Sequence, residues 1–157
     1  MRKKRIEASV QNPVSVDQQW LDLESLTQVE FTSEQIANPI ENAFSPDTDS
    51  TWRAANPGKQ TIRLLFDHPQ NSECIRLLFR EETQARTQEF LLRYSADGGI
   101  SYQEILRQQY TFSPPDTCLQ VEEYRVQLQG ITAMELTIIP DINGGGAHAS
   151  MVQWQIA

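Results

Sequence analysis

The chain has 157 residues with 13 Lys+Arg against 21 Asp+Glu, a formal net charge of −8. Arg2, Lys3, Lys4 and Arg5 hold four of the cations, which leaves the remainder at 9 basic against 21 acidic residues. Such a length fits one domain with its own core, an acidic body excludes a phosphate-backbone partner, and seven Gly with eight Pro exclude collagen-like and low-complexity chains.

The basic tip is not followed by the apolar stretch of a signal peptide, and no apolar run reaches membrane-spanning length. These features predict a cytoplasmic protein with no membrane partner. Cys74 and Cys118 lack CxxC spacing and are expected to stay reduced; a Cys74–Cys118 disulfide is the alternative if the chain is exported. Residues 1–24 read as a segment packing on or flanking the domain, and residues 25–157 as one domain.

Leu26 to Phe31 is the first strand, and Glu34 to Phe44 holds one or two helical turns interrupted by Pro39. Ile62-Arg-Leu-Leu-Phe66 and Ile75-Arg-Leu-Leu-Phe79 then repeat five letters with period two, which predicts two strands with apolar inner faces. His68 falls between them in a turn-like DHPQ. Phe90, Leu92 and Tyr94 alternate, Asp97-Gly-Gly99 gives a hairpin turn, and Tyr102 to Arg107 runs back. Tyr124 to Leu128 and Met134 to Ile138 follow as strands broken at Gly130. Pro140 ends the second, Asn143 to Gly146 makes a flexible loop, and Met151 to Ile156 closes the chain. Many short strands with turns between them predict an all-β sandwich or barrel.

Catalytic groupings are sparse. His68 and His148 are the only histidines, and neither has a nucleophile context or a zinc-spaced partner. Glu81-Glu82 and Glu122-Glu123 are consecutive and so point to opposite strand faces, which suits solvated strand ends better than acid–base pairs. The expectation is a protein that is not an enzyme, with no cofactor and no bound metal.

Asn42-Ala-Phe-Ser-Pro-Asp-Thr-Asp-Ser-Thr-Trp52 resembles the early motif of discoidin, or coagulation factor 5/8 type C, domains. Ser95-Ala-Asp-Gly-Gly-Ile-Ser-Tyr102 resembles their hairpin, and Ala149 to Gln155 their closing strand. The resemblance covers residues 25–157 and implies an antiparallel β-sandwich of jelly-roll type, galactose-binding domain-like. It also implies a structural calcium held by an Asp of a "DG" pair and a Glu on the last strand. Here those places hold Ser45-Pro46 and Gln153, and only Asp47, Ser50 and Asp49 keep side-chain oxygens nearby. Trp52 is by the same resemblance a core or loop-anchoring aromatic.

Ligands in that family sit on loops at one end of the sandwich, which here points to segments 53–59 and 80–86. Arg53, Asn56, Arg80, Glu82, Arg86 and His148 supply the polar groups sugar recognition needs, and Tyr110, with Phe112 beside it, supplies the ring. The function implied is a non-catalytic carbohydrate-binding module. The alternative is an intracellular protein–protein interaction module on the same fold with no sugar site.

Overall fold

The computed structural model describes residues 19–157, so the basic tip lies outside the described residues. Its spine is a pair of long antiparallel strands, β3 (Gln60–Arg80) and β6 (Leu119–Ile139). Each unites two stretches that the sequence pattern reads as separate strands. The turn-like Asp67–Gln70 segment lies inside β3, and Gly130 lies inside β6.

Register explains how the spine continues through these points. Leu65 pairs Ala133, Gln70 pairs Ile131, Ser72 pairs Leu128 and Cys74 pairs Arg125, so extra residues fall first on β3 and then twice on β6. Such bulges bend a ribbon without ending it. Pro69, which has no N–H to give a ladder, falls in the unmatched stretch of β3. Gly130 adopts φ +66, a left-handed conformation open to glycine at little cost. Its N–H is taken by Asn71 Oδ1 at 3.0 Å.

The bend divides the spine between two layers. The first half of β3 pairs β1 (Thr27–Phe31) and the second half of β6, and the layer continues through β4 (Arg86–Ser95) to β5 (Gln103–Phe112). The second half of β3 pairs the first half of β6 and β8 (Gln153–Ile156). A short ladder joins β2 (Trp52–Arg53) to β7 (Ser150–Met151). All pairings are antiparallel.

Ile62, Leu64 and Phe66 from one layer and Ile75, Leu77 and Phe79 from the other belong to a single buried cluster with Phe90, Leu92, Leu136, Ile138 and Trp154. Phe79 stacks on Phe90 with ring centroids 5.5 Å apart. Phe90 is in register with Ile138, and Ile138 with Gln60. The two termini of β3 therefore lie at the same end of the sandwich, and the bend lies at the other.

Trp52 is fully buried and its indole N–H donates to the Ser33 carbonyl at 3.0 Å, an anchoring role. Between β4 and β5, Gly98 and Gly99 take φ +75 and +86 as the hairpin turn requires. Asp97 accepts from Ser95 Oγ at 2.6 Å and Ser101 N at 2.9 Å. The helical content around Pro39 is one 3₁₀ segment, Ile40–Phe44, and a four-residue helix α1 (Leu23–Leu26) precedes β1. Cys74 and Cys118 are both free thiols, so the disulfide alternative does not hold.

Candidate functional site

The end holding both termini of β3 gathers the segments expected to carry ligand contacts. β2 pairs β7, and Ala54 N donates to the Ala149 carbonyl at 2.9 Å and Gly58 N to the Ala147 carbonyl at 3.1 Å. His148 Nδ1 lies 2.9 Å from the Ala54 carbonyl. A carbonyl only accepts, so Nδ1 carries the proton there, which leaves Nε2 as an acceptor in the neutral ring. Arg53, Asn56 and His148 thus belong to one hydrogen-bonded loop cluster. Asn56 is exposed and Arg53 half-buried, and Ser33 Oγ supports the loop by accepting from Ala55 N at 3.1 Å.

Arg80 and Glu82 flank the same end. Arg80 donates to the Thr48 carbonyl at 3.2 Å and faces Glu82 at 4.0 Å, and the Glu82 side chain is 72% exposed. Both side chains have capacity left for a ligand hydroxyl or carboxylate.

Arg86 differs from expectation. Its side chain is 1% exposed and held at two of its three nitrogens: Nε donates to Glu81 Oε1 at 2.7 Å, and Nη1 donates to Gln88 Oε1 at 3.1 Å and to the Pro140 carbonyl at 2.8 Å. Its guanidinium lies 4.8 Å from the centre of the Phe112 ring. Arg86 belongs to the frame, not to the ligand surface. Its strand explains why: Arg86, Gln88, Phe90 and Leu92 share the inward phase of β4.

Tyr110 is already partnered on two sides. Its hydroxyl donates to the Leu119 carbonyl at 3.0 Å, and its ring meets Phe112 edge-on at 5.0 Å. Phe112 is fully buried. The pair bridges β5 and the start of β6, and Tyr110 itself is half-buried.

Glu81, read from sequence as a solvated strand end, is buried. Its Oε2 accepts from Thr83 N at 3.2 Å, Thr83 Oγ1 at 3.3 Å and Gln84 N at 3.4 Å, so one carboxylate organises the loop between Arg80 and Arg86. Burial pushes this carboxyl up, and the bonds from Arg86 and the loop outweigh that push, holding it below its ordinary value. The interior chain continues from Gln88 to Gln120 at 3.1 Å and from Gln120 to Glu122 at 2.8 Å, where Tyr124 also donates. Glu122 is therefore an inner-face acceptor. Glu123, on the opposite face, pairs with Arg76 at 3.3 Å.

A second charged assembly was not visible in the sequence. On the outer face of the larger layer, Glu135 is 4% exposed beneath two arginines. Arg63 donates to it through Nε at 3.1 Å and NH2 at 2.8 Å, and Arg93 from the other side. Arg63 also reaches Glu30 at 2.9 Å, and Arg93 lies over Tyr102 at 4.9 Å. Burial raises the Glu135 pKa, and the Arg93 and Arg63 bonds more than reverse it.

The calcium implied by the sequence resemblance does not fit these side chains. Gln153 Nε2 donates to the Ser45 carbonyl at 3.1 Å, placing an N–H where a cation would need an oxygen. Asp47 accepts from Asp49 N at 2.8 Å and Ser50 Oγ at 3.2 Å, the pattern of a self-capped turn. No group of three metal-ligating side chains occurs among the described residues.

No family model matches the chain, and no curated protein matches it. Solved structures do. The family 32 carbohydrate-binding module of C. perfringens NanJ, in complex with galactose, superposes with TM-score 0.64 at 12% identity, covering 87% of this chain and 96% of that one. The family 32 module of AlyQ, with 4,5-unsaturated mannuronic acid, gives 0.65 at 15%, covering 89% and 98%. A Clostridium perfringens module with GalNAc-β-1,3-galactose gives 0.63 at 16%, covering 88% and 99%. At these identities the likeness shows the fold. The chain has the antiparallel jelly-roll sandwich fold of these modules. Within that fold, the ladder and loop bonds hold the Arg53, Asn56 and His148 cluster at the end where β3 begins and ends.

Proposed function

We propose that the protein is a non-catalytic carbohydrate-binding module that takes its ligand on the loops at the β3-terminal end of the jelly roll. The observation that carries this reading is the cluster of Arg53, Asn56 and His148, tied by backbone bonds between segments 53–59 and 147–149, with Arg80 and Glu82 presented at the same end from a carboxylate-ordered loop. Forked donors, an amide and an imidazole acceptor on a rigid frame are the groups that read sugar hydroxyls. The solved neighbours' ligands, galactose, GalNAc-β-1,3-galactose and an unsaturated mannuronic acid, support a pyranoside with equatorial or axial hydroxyls and leave room for a carboxylate facing the arginines.

A glycan array followed by calorimetry with galactosides and uronate oligosaccharides tests the reading. Saturable binding that weakens in Arg80→Ala and Arg53→Ala supports it. Silence across the array would sink it.

A further inference from the structure

The cations of the described residues divide sharply by what they face. Arg63, Arg76, Arg80, Arg86, Arg93 and Arg107 each have a carboxylate within 4.0 Å, and Arg125 is engaged as well. Arg53 and Lys59 alone form no ion pair among the described residues. Both stand on segment 53–59, at the loop end. In a chain with 21 acidic residues, a cation without a carboxylate is the exception, and the two exceptions share one short segment.

The surroundings explain how they stay unspent. Arg53 is half-buried, and its backbone is fixed: its N–H donates to the Asn38 carbonyl at 3.1 Å and its carbonyl accepts from Gln35 N at 2.8 Å. Its guanidinium makes no hydrogen bond among the described residues. Lys59 is exposed between Gly58, which is tied to the Ala147 carbonyl, and Gln60, whose Nε2 donates to the Asn56 carbonyl at 3.4 Å. The carboxylates of this end are spent elsewhere. Glu34, beside Gln35, accepts from Ile40 N at 2.7 Å, and Glu82 faces Arg80. The acidity of the rest of the domain does not bar an anion here, because charges beyond the screening length of ~8 Å at physiological salt act weakly.

We propose that the loop-end site takes an acidic saccharide, a uronate whose ring carboxylate is seated on Arg53 and Lys59. A guanidinium fork gives a carboxylate two parallel bonds, and an ammonium adds a point charge; a neutral sugar would use neither charge. Asn56 and the Nε2 acceptor of His148 are left for hydroxyls. The proposal rests on the carbohydrate-binding reading and names the ligand class of that same site, with Lys59 as an added contact.

The test is calorimetry at neutral pH on the full chain with four probes: methyl galactosiduronic acid, its methyl ester, methyl galactoside and galactose 6-sulfate. The acid should bind about tenfold or more tightly than the ester, which has the same ring and hydroxyls but no charge. High salt should erode that advantage. In Arg53→Gln and in Lys59→Gln the ratio of acid to ester affinity should fall toward one. Lys59→Gln, at an exposed position, keeps the test open if Arg53→Gln disturbs the loop. Arg107→Gln removes an equal charge from β5 and should keep the ratio. Equal binding of acid, ester and galactoside overturns the proposal and leaves the loop-end reading standing, and binding confined to neutral glycans does the same. A preference for the acid that survives both loop substitutions, or falls equally in Arg107→Gln, overturns the seat on Arg53 and Lys59. Tighter binding of the sulfate than of the acid overturns the carboxylate. If no probe binds and the glycan array is silent, both readings fall together.

Discussion

Arg80 and Arg86 bracket one short loop, and each faces a glutamate from that loop. The inner pair, Arg86 and Glu81, has side chains 1% and 10% exposed at 2.7 Å; the outer pair, Arg80 and Glu82, has 30% and 72% at 4.0 Å. Identical chemistry yields two jobs. The inner pair is desolvated, and each member is charged against the other and bonded to the chain around it, so it fixes the loop's shape. The outer pair keeps water on much of its surface and contributes little to stability, so its groups are available to a ligand.

The largest effect follows from breaking the inner pair. Arg86→Ala leaves the Glu81 carboxylate buried without its cation and should cost about 3–5 kcal/mol, read as a large drop in denaturant midpoint. A loss no greater than that of a surface substitution would show that the pair is not structural. The loop amides of Thr83 and Gln84 should lose hydrogen-exchange protection in the same variant.

Acid is the next test. Glu81 and Glu135 have folded pKa values held below the ordinary carboxylate value of 4.5. Asp97 is lowered from 3.8 to about 2, through its bonds from Ser101 and Ser95. Groups lowered on folding contribute stability that is present above their unfolded pKa and lost as pH falls through the folded one. The melting temperature should therefore hold steady at neutral pH and drop below about pH 4.5. Glu135→Gln should flatten part of that drop, and an unchanged profile in this variant would count against the outer-face assembly.

A smaller change is expected at the loop that the sequence resemblance links to calcium. Gln153→Ala removes the bond to the Ser45 carbonyl and should cost about 1 kcal/mol. In the unmodified protein, calcium and a chelator should give the same melting temperature. A rise of several degrees with calcium would show that an ion competes successfully with the amide. The smallest stability effect belongs to the outer pair: Arg80→Ala should change stability by about 0.5 kcal/mol or less while weakening saccharide binding about tenfold. Equal losses of stability and affinity would erase the distinction between the two arginines.

Much of the fold was legible in the residues. Period-two alternation placed Ile62, Leu64 and Phe66, then Phe90 and Leu92, on inner faces, and they are buried in one core. The hairpin at Asp97-Gly-Gly and the anchoring of Trp52 also follow from local pattern and sequence likeness. The continuity of β3 and β6 was not legible. Asp67–Gln70 and Gly130 have the local chemistry of turns, but the partner strand supplies a ladder on both sides of each bulge. Arg86 lay between these cases. Alternation run back from Phe90 and Leu92 places it inward, a signal outweighed by its position in a polar segment.

The sequence by itself determined the apolar segments at the heart of the main strands and which of their faces are apolar, because alternation acts between neighbours along the chain. Only the tertiary structure decided which polar side chains are consumed inside and which remain exposed. Glu135 meets Arg63 from 72 residues away and Arg93 from 42, and Arg86 finds the Pro140 carbonyl across 54. Whether a charge is spent or free depends on its partners' positions, and strand register in three dimensions sets those positions.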